Sequence, residues 1–98
     1  MNNKERKKRV EKRAAALRYD PPEDSAPRLV ASGRGEVAER IIRMAEEHDL
    51  PLYEDQLLAE TLTRLKLGTE IPEELYQAVA EILGFIYRMD KKKGREKL

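Results

Sequence analysis

Proline and glycine punctuate this chain so closely that few places can hold a long regular element. Asp20-Pro21-Pro22, Gly33-Arg34-Gly35, Pro51, Gly68 and Pro72 each end one segment or open another. The residue before a proline is pushed out of the helical region, and an internal proline removes a helix hydrogen bond. A helix therefore cannot run through residues 20–22. No apolar run approaches the roughly 18–20 residues needed to cross a bilayer. With 98 residues, one domain is the expectation.

The segments between these stops can be assigned in turn. Ala14–Tyr19 is a short apolar stretch, read as the end of an N-terminal helix that turns into a strand at Ala16–Tyr19. Glu23–Pro27 reads as a loop, and Arg28–Ser32 as a buried strand ended by Gly33-Arg34-Gly35. From Glu36 the period becomes helical, with Val37, Ile41, Met44 and Ala45 on the expected core face, Ala38 and Ile42 widening that stripe, and His48-Asp49 closing the helix. Leu50–Tyr53 reads as another strand. Strand, helix and strand in this order imply a βαβ unit with parallel pairing. Asp55 is placed to cap a helix carrying Leu58, Leu62 and Leu65, with Gly68 as its stop. Ile71-Pro72-Glu73-Glu74 opens the last helix, since proline loses no needed hydrogen bond there and the acids face the positive end of the dipole. That helix is expected to reach about Met89. It carries one apolar stripe of Leu75, Val79, Ile82 and Ile86, and an adjacent one of Tyr76, Ala80, Leu83 and Tyr87. Two stripes imply either two neighbours or a core and a partner. The expected fold is α/β: a small mixed sheet with one βαβ unit surrounded by helices.

Charge divides the chain differently. Residues 1–13 carry +5, residues 88–98 carry +4 and residues 14–87 carry −8. An acidic body between basic ends is expected to divide into a tail or frayed helix (1–13), a folded domain (14–89) and a second tail (90–98). Nucleic acid is not expected on the folded face, which is acidic. The tails could contact RNA, anionic lipid or an acidic protein, or serve only solubility. The basic start has no apolar stretch behind it, so it is not read as a secretory signal.

Most catalytic chemistry lacks its residues. There is no cysteine and a single histidine, His48. That excludes disulfides, thiolate metal sites, cysteine catalysis and sites with two imidazoles. Ser25 and Ser32 have no histidine beside them in sequence. The adjacent acids Glu23/Asp24, Glu46/Glu47, Glu54/Asp55 and Glu73/Glu74 read as solvated surface rather than as acid–base pairs. His48 is placed to interact with the end of its helix. Gly33-Arg34-Gly35-Glu36-Val37-Ala38 matches the pattern of a dinucleotide-binding turn, with Glu54 and Asp55 downstream. Glu36 would set a carboxylate against a pyrophosphate, however, and no second βαβ half exists. The simpler reading is a tight strand-to-helix turn. No catalytic residue, metal site or cofactor is expected, and the chain is read as a non-enzyme.

Ala14–Asp20 (AAALRYD), Ser25–Ser32 (SAPRLVAS), Gly33–Ile41 (GRGEVAERI), Leu50–Glu54 (LPLYE) and Leu67–Tyr87 (LGTEIPEELYQAVAEILGFIY) together resemble the cytoplasmic C-terminal domain of the FlhB/YscU family. These are export-switch components of flagellar and virulence type III secretion. The resemblance covers about residues 14–89 in order and implies that family's C-terminal-domain fold. Full members have a membrane-spanning first half and an Asn-Pro-Thr-His loop that cleaves itself. This sequence contains no Asn-Pro pair, so cleavage of that kind is not expected. Asp55-Gln56-Leu57-Leu58 also stands where members often have a proline-rich stretch.

The resemblance implies a standalone counterpart of the cleaved fragment, docking export substrates or the hook-length protein at the export gate beside the FlhB membrane half. In the family a small apolar pocket receives a hydrophobic segment of early substrates. By position it corresponds here to Ala26, Pro27, Ala80 and Leu83. Expected with this are a cytoplasmic location, at most peripheral to the membrane, and a monomer. The alternative is a general protein- or RNA-interacting regulator acting through the basic tails. The strand that pairs with the ALxYD strand in the family has no obvious counterpart, so an open sheet edge is expected there.

Overall fold

The computed structural model describes residues 11–97, with side chains described for residues 11–88; the expected N-terminal tail lies largely outside the described residues. The order is β1 (Arg13–Arg18), β2 (Arg28–Arg34), α1 (Glu36–Glu47), α2 (Gln56–Leu62), a 3₁₀ turn (Glu73–Leu75) and α3 (Tyr76–Lys97).

β1 and β2 pair antiparallel, from Arg13 opposite Arg34 to Arg18 opposite Arg28. Ala16 faces Ala31 and Leu17 faces Leu29, so Val30 is an extra, bulged residue and sits exposed. Among the described residues no strand pairs with the outer edge of β1. The other edge of β2 is partly taken. Leu29 N–H donates to the Thr69 carbonyl at 3.0 Å, Gly68 N–H to Leu29 at 2.7 Å and Ile71 N–H to Pro27 at 2.9 Å.

The α/β class therefore stands, but the βαβ unit does not form. Leu50–Tyr53 has no strand, and the sheet is an antiparallel pair. Residues 68–71 occupy part of the edge a parallel strand would need. Pro51 has no N–H to offer a ladder, and the Leu50 N–H is bonded back to the Ala45 carbonyl at 2.8 Å. The segment lies instead beside α3, where Tyr53 meets Phe85 edge-on with centroids 5.9 Å apart.

The core is Leu29, Leu58, Leu62, Ile71 and Val79, flanked by Ala15, Leu17, Leu65, Leu75, Ile82 and Leu83. One leucine from the sheet, two from α2, one residue of the connecting loop and one from α3 thus meet at a single centre. The Asp55 carboxylate caps α2 by accepting the Leu58 N–H at 3.0 Å. Arg13 ties β1 to α2 through Glu60 at 3.2 Å.

α1 buries one side of the expected stripe. Ala38 and Ala45 are buried and Ile41 and Ile42 half-buried, whereas Val37 and Met44 are exposed. The alanines allow the helix to approach the hairpin closely, and close approach decides which side of the stripe is buried. α3 also continues past Met89 to Lys97, with Gly94 inside it. A single glycine costs a helix only about 1 kcal/mol relative to alanine and does not by itself end one.

Candidate docking surface

The turn between β1 and β2 is organised by a buried acid. Asp24 is 6% exposed. One carboxylate oxygen accepts from the Arg18 guanidinium at 3.2 Å and the other from the Asp20 N–H at 3.0 Å. The Asp24 N–H returns a bond to the Asp20 carbonyl at 3.0 Å. The Arg18 hydrogen bond is the main cause that holds the Asp24 carboxyl below its ordinary pKa; burial opposes it, while the Asp20 N–H and the charge of Arg28 support it. Glu23/Asp24 is therefore not a solvated pair. Glu23 is exposed and its neighbour is enclosed.

Ala26 and Pro27 follow directly and are buried, Ala26 to 2%. Pro27 hands its carbonyl to Ile71, a core residue. Ser25 and Arg28 on either side both reach Glu70: the Ser25 hydroxyl donates to it at 2.9 Å and Arg28 pairs with it at 3.7 Å. The Ala-Pro step is thus seated in the core and clamped by polar contacts at both ends.

α3 passes the same core on its first stripe. Val79 is buried, and Leu75, Ile82 and Ile86 are half-buried. The second stripe faces solvent: Tyr76 is 43% exposed, Tyr87 66%, and Ala80 is exposed. Leu83 lies between the two roles, half-buried and packed on the core. Of the four residues singled out in the sequence, Ala26 and Pro27 sit inside, Leu83 links inside to outside, and Ala80 is open. A separate, open depression lined by Lys12, Glu39, Ile42, Arg43 and Glu46 is polar and offers no apolar seat.

The glycine motif is structural. Gly35 precedes α1 at φ 57°, a left-handed conformation that favours glycine. A Cβ on Gly33 would lie 2.1 Å from Val37 Cγ1. The first turn of α1 already carries Glu36 and Glu39, with Glu39 paired to Lys12, so the helix start is furnished with negative charge and is a poor anion site. At the other end, His48 Nδ1 donates to the Met44 carbonyl at 2.8 Å, in keeping with a structural role. Among the described residues no group of acids and histidine could hold a metal ion. Asp24 and the Tyr53–Phe85 contact escaped the sequence reading. The spacing of Arg18, Asp20 and Asp24 around Pro21-Pro22 was the available signal for the first.

Because the Asp24 pKa is lowered on folding, its stabilisation is complete above the unfolded carboxylate range and is lost as pH falls through the folded value. Asp24→Asn is therefore expected to lower the melting temperature at pH 7. The gap to the parent should shrink steadily on acidification, as read by thermal melts across pH.

This arrangement, a hairpin and three helices around one small core, is that of the C-terminal cytoplasmic domains of type III export proteins. It is similar to a mutated EscU C-terminal domain (TM-score 0.74, 30% identity, covering 78% of this chain and 93% of that one). The PscU C-terminal domain compares at TM-score 0.72 and 32% identity, covering 76% and 95% of the two chains. The cytoplasmic domain of FlhB from Shewanella putrefaciens compares at 0.73 and 33%, covering 76% and 61%. The family model described as FlhB HrpN YscU SpaS matches residues 11–86, and the chain belongs to this family. In sequence it is 45% identical over 80 residues to YlqH, an uncharacterized protein of Bacillus subtilis, covering 82% of this chain and 86% of YlqH. It is 41% identical to the flagellar biosynthetic protein FlhB of Aquifex aeolicus over 81% of this chain but only 23% of that protein. The chain therefore spans about a quarter of that FlhB and most of YlqH. No described helix is long and apolar enough to cross a membrane.

Proposed function

We propose that this chain is a docking domain of flagellar type III protein export, standing in for the C-terminal part of FlhB or competing with it. The observation that carries the reading is likeness of fold and sequence: the chain matches nearly the whole of the EscU and PscU C-terminal domains and falls in the FlhB HrpN YscU SpaS family. Its partners are then the membrane half of FlhB, the export gate, and export substrates or the hook-length protein. It works in the cytoplasm or peripherally at the gate, by binding and without a reaction of its own. In this reading Ala80 and Leu83 offer the apolar contact, with Ala26 and Pro27 as the further residues of the seat.

Titration of the full chain with a phenylalanine-containing peptide from an early export substrate tests this. Leu83→Asp and Ala80→Glu are each expected to weaken binding at least about tenfold. Ala80 is exposed, so its replacement leaves the core intact and separates lost docking from lost folding. Absence of binding by the parent at millimolar peptide, or unchanged affinity in both variants, would overturn the assignment.

A further inference from the structure

The outer stripe of α3 has a symmetry that its role in a single chain does not require. Tyr76, Ala80, Leu83 and Tyr87 are arranged about a midpoint between Glu81 and Ile82, so that Tyr76 mirrors Tyr87 and Ala80 mirrors Leu83. The stripe runs about 16 Å at 1.5 Å per residue. All four side chains lie on one side of the helix, and the two tyrosines and Ala80 are exposed. Gly84 flanks the stripe, and a Cβ there would meet only Arg88, at 3.6 Å, so a neighbouring backbone can come close.

We infer that this face pairs with the same face of a second copy, the two α3 helices running antiparallel about a twofold axis. Each Tyr76 then lies against the Tyr87 of the other copy, and each Ala80 against the other Leu83, a small residue under a large one. An isologous contact demands this self-complementarity. Charge selects the same occupant and the same direction. The 3₁₀ turn that leads into α3 carries Glu73 and Glu74, and the C-terminal part of α3 carries Arg88, Lys91, Lys92 and Lys93. Antiparallel pairing brings each basic end beside the other copy's acidic start, whereas parallel pairing would set like charges together. Ala80 and Leu83 serve both this contact and the docking surface, so self-association and substrate binding compete; the pairing itself does not depend on the docking reading. The face of one helix is a small interface, so a weak, reversible dimer is expected.

Sedimentation equilibrium of the full chain tests the pairing. A monomer–dimer equilibrium that weakens between about 50 mM and 500 mM salt is expected, since exposed charges are screened. Tyr87→Glu, at a position 66% exposed and outside the core, should give a folded monomer by circular dichroism. Glu73→Lys with Glu74→Lys should weaken the dimer at least tenfold. Adding Arg88→Glu and Lys91→Glu to that double variant should restore it, a rescue that damage to the fold would not produce. A monomer at every concentration up to about 1 mM in low salt, or a dimer indifferent to Tyr87→Glu, would overturn the inference.

Discussion

Leu29→Ala is expected to cost about 3–5 kcal/mol of unfolding free energy. Leu29 is fully buried and lies in the cluster that gathers β2, α2, the loop at Ile71 and α3. Alanine there loses the transfer energy of the removed carbons and leaves a cavity whose walls come from separate elements. A domain this small has about 5–15 kcal/mol in total, so the variant should show a large unfolded fraction well below the parent's melting temperature. Urea denaturation followed by circular dichroism measures it. A loss under about 1 kcal/mol would mean that the site collapses freely and that Leu29 is not the centre of the core.

Gly33→Ala is the second large effect. The added methyl would stand 2.1 Å from Val37 Cγ1 and 2.7 Å from Val37 Cβ. Neither atom is the end of a long, flexible side chain, because Val37 is β-branched and rooted in the first turn of α1. Relief requires α1 to move off the hairpin, which is expected to cost about 1–3 kcal/mol. For a domain of this size that lowers the melting temperature by roughly 5–20 °C. Val37→Ala in the same chain removes Cγ1 but keeps Cβ, so it should restore part of the loss. No restoration would show that the Gly33–Val37 approach is not the source of the strain.

How much of this was legible depended on the range of the signal. The Asp55 cap, the helix start at Pro72 and the glycine turn at 33–35 all act within one helical turn, and each falls where the residues indicate. The order of motifs was sufficient to indicate the family and, with it, the α/β class. Of the candidate surface, the sequence indicated the two stripes of α3 but not which one is covered. It marked Ala26 and Pro27 without showing that they lie inside. Asp24 resembled any surface acid because its burial depends on Arg18 folding back across Pro21-Pro22.

The sequence by itself therefore determined where several segments start, which helix carries two apolar faces, and which family the chain belongs to. Steric limits at proline and glycine, local capping and side-chain period act through neighbours in the chain and need no fold to be read. Tertiary structure alone decided the partner of each segment. Residues 68–71 took the edge of β2, so Leu50–Tyr53 made no strand and went to α3. Within the α1 stripe, Ala38 and Ala45 became the buried positions while Met44 stayed exposed and Val37 closed over Gly33, where no Cβ stands in its way. Pairing and burial are competitions among distant residues for the same surface, and such competitions are settled only when all the competitors are in place.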